Sequence, residues 1–408
     1  MWRNITTLLS GNAAAQLVNI ATIVFVVARY ISPEDFGRYA VLMSYIGILS
    51  VVACLRYDVA LVSTHRDIFA RNLGAAAILI AVGFTLLCAV VMWVIETIAG
   101  AAFLFGISLW LLLAALFLKA LGQVFAGVLY RQERYLSYSV IRFVQALVLF
   151  GGFLWTGLQS NGVPGLMLSV FASYLTFAAL ASIAIGRQFF LDRVRLARMV
   201  AVARRETDFP LFNTPQALID TFLSNGVNIV IMAQAGSTMA GYYSFMQRAV
   251  RAPLTLVFGA VSQVVFRFAS RYREHSNRVR RELLRVAVFA YVLVAVGALC
   301  AAVVHANFGL LPFLENWSGL RDYLPAFSAW FLVPFLFSPF ATLPIVYARQ
   351  RTFFVCATSF NLMALASLGV FLALGLRQGA FLIVATGALV YFAGMSVWVY
   401  RLTAEAKT

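Results

Sequence analysis

Residues 8–56 read LLSGNAAAQLVNIATIVFVVARYISPEDFGRYAVLMSYIGILSVVACLR: two apolar runs, 8–28 and 39–56, joined by a short polar turn. Each run matches the roughly 20 residues that an α-helix needs to cross a bilayer. Only helices and closed barrels satisfy their own backbone groups in lipid, and these runs have helical length. The first run exceeds 20 residues, follows a single Arg3 and lacks a small-residue cleavage site, so it reads as a span and not as a cleaved signal peptide. The whole chain continues in this vein. It has 408 residues, 62% of them hydrophobic and 11% charged, with a mean hydropathy of +0.89. A soluble domain carries about a quarter charged residues. Most of this surface must therefore face lipid.

Outward from that pair, further apolar runs fall at about 73–95, 101–122, 138–158 and 163–185, then at about 212–234, 241–266, 286–308, 323–347, 352–375 and 379–400. The 31 Lys and Arg residues sort by alternate loops. One set of loops and termini holds 24 of them, including Arg3, Arg56, Arg66, Arg71, Arg131, Arg134, Arg142, Arg349, Arg351, Arg401 and Lys407. The opposite set holds only Arg29, Arg38, Arg321 and Arg377, while Lys119, Arg248 and Arg251 fall inside runs. Cationic loops stay on the cytoplasmic side, so both termini are expected there, in a multi-pass protein of the inner membrane. Arg56 and Arg142 read as such topology signals, with Asp58 a candidate partner for Arg56. The longest interruption, Gly186 to Pro210, is Arg-rich and suggests a basic amphipathic segment or a solvated linker. The expected organisation is an N-terminal six-helix bundle over 1–186, a basic cytoplasmic linker over 187–210 and a C-terminal six-helix bundle over 211–408.

Polar residues within the runs are the candidates for function. Asn12, Gln16 and Asn19 share one helical face, as do Asn213, Gln216, Asp220 and Ser224. Arg248, Arg251 and Thr255 form a third stripe, next to Pro253. A charged side chain at the bilayer centre costs about 2.5–3.5 kcal/mol on the insertion scale, so such stripes should face a bundle interior or a wet cavity. Paired guanidinium groups there suit a phosphate, which Arg grips through two donors at once. Pro334, Pro339 and Pro344 should break the tenth helix repeatedly. Aligning Gly37 with Gly241 sets Tyr39 on Tyr243 at an offset of 204 residues and Asn12 on Gln216, a sign of an internal parallel repeat.

Other chemistry is not encoded. Cys54, Cys88, Cys300 and Cys356 lie in apolar runs without ligand spacing, and His65, His275 and His305 are far apart. No catalytic constellation, metal site or cofactor is expected. The net charge of +16 is distributed as a topology signal, which argues against nucleic acid.

The opening LLSGNAAAQLVNIATIVFVVARYISPEDFGRYAVLMSYIGIL, followed by LRYDVALV, resembles the start of bacterial polysaccharide transporter, or O-antigen flippase, proteins, with their R-x-x-x-P-x-x-F-G-x-Y turn. AGYYSFMQRAVRAPLTLVFGAVSQVVFRFASR repeats the likeness in the second half. The resemblance implies an all-α membrane protein of about twelve transmembrane helices, in two pseudo-symmetric six-helix bundles around a central cavity. The resemblance places that fold within the larger group of multidrug, oligosaccharidyl-lipid and polysaccharide exporters. The resemblance also implies a non-enzymatic flippase that turns a polyprenyl-diphosphate-linked oligosaccharide across the membrane, for lipopolysaccharide O-antigen or exopolysaccharide. Its partners would be that substrate, membrane lipids and other polysaccharide-assembly proteins. Onto this chain we map Arg248 and Arg251 for the diphosphate; Asn12, Gln16, Asn19, Asn213 and Gln216 for sugar; and Asp220 for sugar or cation coupling. Two readings compete. One is a multidrug or metabolite exporter on the same fold, which would favour interior acids. The other is a membrane polymerase or acyltransferase, against which the short outer loops count.

Overall fold

A computed structural model of the chain describes residues 13–64, 66–99, 109–186, 194–272, 276–347 and 349–405. Every described element is a helix. Twelve are long and apolar enough to cross a membrane: Ala13–Tyr30, Pro33–Ala53, Asp67–Ile95, Leu109–Arg131, Tyr135–Gln159 and Gly162–Ile185, then Phe209–Ala235, Ser237–Arg271, Asn277–Ala306, Leu320–Val346, Gln350–Ala373 and Arg377–Thr403. These match the twelve apolar runs one for one, and the chain is a multi-pass membrane protein. Several helices outrun their apolar stretch. The fourth, expected at 101–122, continues to Arg131 because Val124, Phe125, Val128 and Leu129 still face the protein core. Residues 101–108 lie outside the described part. Two compact units are formed, residues 1–229 and 230–408.

In the first unit, the motif at residues 29–39 is a helix stop followed by a helix start. Ile31 and Ser32 are extended, and the Ser32 hydroxyl accepts the Asp35 backbone N–H at 3.1 Å. Pro33 holds the first position of the second span, where its missing N–H is not needed. Phe36 and Tyr39 are then buried on the inner face, with Tyr39 edge-on to Phe153 at 5.2 Å. The fifth and sixth spans pack through small residues. Gly152 and Thr156 on one oppose Gly165 and Ser169 on the other, with the Thr156 and Ser169 hydroxyls 3.3 Å apart. Lipid offers no hydrophobic drive between helices, so close approach and such hydrogen bonds supply the association.

A short helix, Tyr57–Ser63, follows the second span after two left-handed residues, Leu55 and Arg56. It lies so near the fourth span that a Cβ on Gly127 would sit 2.5 Å from the Asp58 carbonyl oxygen. Burial raises the Asp58 carboxyl above its usual pKa, and the Arg56 guanidinium beside it works in the opposite direction. The Arg-rich interruption contains a helix, Leu196–Arg205, that is docked and not solvated all round. Val202 enters the core, the Tyr57 hydroxyl donates to the Ala203 carbonyl at 3.0 Å, and the Arg195 N–H donates to Asn72 Oδ1 at 3.1 Å. Its outer face presents Arg198, Arg204 and Arg205. Residues 187–193 of the interruption lie outside the described part.

In the second unit, Gly236 turns the chain at φ +87°, and the eighth span starts at Ser237, 204 residues after Pro33. Tyr243 is therefore the seventh residue of its helix, as Tyr39 is of the second span. It is fully enclosed by Phe327, Trp330, Phe331 and Phe381, and Trp330 Nε1 donates to its hydroxyl at 3.2 Å. Tyr39 and Tyr243 are thus each a buried tyrosine at the seventh position of the helix. The tenth span is broken as its prolines require, into an α-helix Leu320–Leu332, 3₁₀ turns Val333–Leu336 and Ser338–Phe340, and a last turn Leu343–Val346.

Candidate functional site

The stripes expected from sequence fall in different settings. Asn12 lies outside the described residues. Gln16 and Asn19 are half-buried on the first span, which widens to a π-helix over Thr22–Val27. Asn213, Gln216 and Asp220 are all exposed on one face of the seventh span, with Ser224 beyond them. At bilayer depth, four polar groups exposed in a row require water or polar partners in place of hydrocarbon. That span carries two further polar contacts that the stripe analysis passed over. The buried Asn228 donates to the Ser44 hydroxyl at 3.2 Å, and Asn225 lies against Gly47.

Arg248 is half-buried and Arg251 exposed. Both belong to a π-helical turn, Gln247–Arg251, placed just before Pro253. The cause is local: proline supplies no N–H and its ring crowds the preceding turn, so the helix widens there. Single π turns are frequent at functional sites. A π turn closes on the fifth residue and not the fourth, which draws side chains three residues apart away from one face. Arg251 lies within electrostatic reach of the enclosed Tyr243.

The first unit contains a polar hollow that its own helices build. One part, about 130 Å³, is lined by Asn19, Arg142, Gln145, Ser173 and Tyr174 among others. A second part, about 390 Å³, shares Arg142, Gln145 and Tyr174 and adds Lys119, Gln123 and Tyr138. Lys119, Gly122, Gln123 and Ala126 recur at i, i+3, i+4, i+7, one face of the fourth span. Tyr138, Arg142 and Gln145 follow the same spacing on the fifth, and Tyr174 and Phe177 come from the sixth. Arg142 is fixed by donating to Gln145 Oε1 at 3.0 Å. Tyr138 is held between Tyr130, 4.6 Å away, and Phe177, 6.1 Å away, by ring contacts. With a rise of about 1.5 Å per residue, Lys119 stands roughly 15 Å from Leu109 and roughly 18 Å from Arg131, midway along its helix. Of the expected site residues, this hollow takes in Asn19.

Sequence reasoning passed over this group for a definite reason. Read from the sequence, the fifth apolar run begins at about 138, which sets Arg142 at its charged end. The helix in fact starts at Tyr135, so Arg142 is two turns in. The periodicity test applied to the first span, if carried to Lys119–Gln123 and Arg142–Gln145, would have found the face.

A family model described as "Polysaccharide biosynthesis protein" matches residues 26–318. No curated protein sequence matches the chain. Among solved structures, the fold is similar to the inward-facing conformation of a multidrug resistance MATE family transporter of the MOP superfamily. The identity is 14% and the TM-score 0.71, covering 96% of this chain and 95% of that one. It is similar also to the lipid II flippase MurJ in an inward closed conformation, at 13% identity and a TM-score of 0.72, covering 98% and 90%. A MATE protein in complex with MaD3S follows at 15% and 0.52, covering 99% and 95%. At such identities the likeness is one of fold.

Proposed function

From membership of the polysaccharide biosynthesis protein family, to which the chain belongs, we propose that it is a flippase for a polyprenyl-diphosphate-linked oligosaccharide. It would turn this lipid from the cytoplasmic to the outer leaflet of the bacterial inner membrane, for a surface polysaccharide such as O-antigen or exopolysaccharide. The observation that carries the reading is the family match over residues 26–318. The fold is in keeping with it, since a transporter and a lipid flippase share the architecture. Polar and cationic groups at bilayer depth in each unit also support it, because lipid hosts them only where they line a wet space or pair with partners.

In this reading both termini are cytoplasmic, Arg248 and Arg251 neutralise the diphosphate, and the amides of Asn12, Gln16, Asn19, Asn213 and Gln216 meet sugar. Asp220 contacts sugar or couples a cation. The polyprenyl tail stays in lipid, and the polar groups are exposed to the two sides in alternation. Other polysaccharide-assembly proteins would supply and consume the substrate. The competing reading, a drug or metabolite exporter, is favoured by the multidrug transporter likeness, yet among the described residues lining the hollow no acid is present to receive a cationic drug.

The test is an Arg248→Ala/Arg251→Ala double variant. It should abolish surface polysaccharide while membrane protein level stays normal. Full polysaccharide in that strain removes both arginines from the mechanism.

A further inference from the structure

We propose that Lys119 and Arg142, brought to one hollow by the fourth and fifth spans, form an anion site inside the first unit that takes a phosphate or diphosphate group. The hollow holds two cationic side chains, and no carboxylate lines either part of it. Among the described residues neither cation forms an ion pair, although three other arginines do, with Glu34, Asp67 and Glu282. Lys119 is half-buried and Arg142 exposed; two like charges facing one space repel, and a shared anion turns that repulsion into attraction for both. The remaining lining is suited to an oxyanion. Gln123 carries an amide donor, Tyr138 and Tyr174 carry hydroxyls, and the Arg142 fork keeps further N–H groups beyond the one given to Gln145.

Size limits what can enter. About 390 Å³ lies at the lower end of small-ligand pockets. It admits a diphosphate head, not an oligosaccharide of several sugars. The adjoining part toward Asn19 and Ser173 is smaller still, about 130 Å³. The site therefore reads as a grip on the head group, with the bulk of any attached glycan outside it. That the head group belongs to a lipid-linked sugar rests on the flippase reading; the anion site itself does not.

The experiment is calorimetric titration of inorganic pyrophosphate into the full chain, held in nanodiscs of zwitterionic lipid. Saturable binding is expected in the unaltered protein. Lys119→Met and Arg142→Gln should each weaken it about tenfold or more, the effect of losing a charge-assisted contact. Lys119→Arg, which keeps the charge, should bind within a few-fold of the parent. Arg285→Gln, a surface charge outside the hollow, should leave affinity unchanged. In a second arm, polyprenyl diphosphate incorporated in the nanodisc should displace pyrophosphate if the anion arrives on a lipid; binding without displacement assigns the site to a free anion instead. The proposal is overturned if the parent shows no saturable binding, or if Lys119→Met and Arg142→Gln elute as folded protein and bind as the parent does. An absence of lipid-linked intermediate in a deletion strain would remove the flippase reading and leave the pyrophosphate result standing.

Discussion

Adjacent glycines in the fifth span give a sharp test of how the first unit is packed. A Cβ at Gly152 would stand 2.6 Å from Ser169 Oγ, 2.7 Å from its Cβ and 3.2 Å from its Cα, whereas one at Gly151 would meet nothing within 4 Å. Both residues sit in the same helix, so the helix-propensity gain of Gly→Ala, about 1 kcal/mol, is common to both and cancels in the comparison. What remains is the cost of forcing the fifth and sixth spans apart, about 1–3 kcal/mol for overpacking. The Thr156–Ser169 hydrogen bond at 3.3 Å would stretch with them. At about 2.1 cal/mol/K of unfolding entropy per residue, a cooperative unit of 229 residues should show a Tm difference of about 2–6 °C. The assay is thermal unfolding of Gly151→Ala and Gly152→Ala in the same detergent, followed by size-exclusion recovery. Equal midpoints, or a more stable Gly152→Ala, would refute the close-packed interface.

Two further outcomes follow from named contacts. Tyr243→Phe removes the acceptor of Trp330 Nε1 and should lower stability by about 0.5–1.5 kcal/mol, with a non-additive double variant alongside Trp330→Phe. Val202→Asp places a carboxylate where the docked amphipathic helix enters the core, and should speed tryptic cleavage at the exposed Arg198 and Arg204 several-fold; unchanged cleavage would mean that the helix is held otherwise.

The spans were legible because lipid imposes a simple rule: about 20 apolar residues, with cationic ends on alternate sides. Helix breaking was legible too, since Pro334, Pro339 and Pro344 act on their own backbone: 3₁₀ turns appear at the first two, and a new short α-helical turn begins at the third. The matching places of Tyr39 and Tyr243 could be read because a buried aromatic at a given helix position is a local property of each helix. The hollow was harder to see. It depends on five helices meeting, the first, second, fourth, fifth and sixth spans, and Lys119 looked like a stray charge until Arg142 and Gln145 were set beside it. The π turn at Gln247–Arg251 was likewise hidden. Pro253 announces a disturbance but not its form, and that form decides where Arg248 and Arg251 point. Asn225 was missed because it lies off the Asn213–Ser224 face, where packing against Gly47 gives it its place; Asn228, bonded to Ser44, continues that stripe one turn beyond Ser224, where the periodicity test stopped.

The most direct measurement is the fate of lipid-linked oligosaccharide in a strain lacking this chain. The account predicts that completed polyprenyl-diphosphate oligosaccharide accumulates and stays on the cytoplasmic face, protected in intact spheroplasts from an added glycosidase. Its absence, or its accumulation on the outer face where the glycosidase digests it, would contradict a role in translocation.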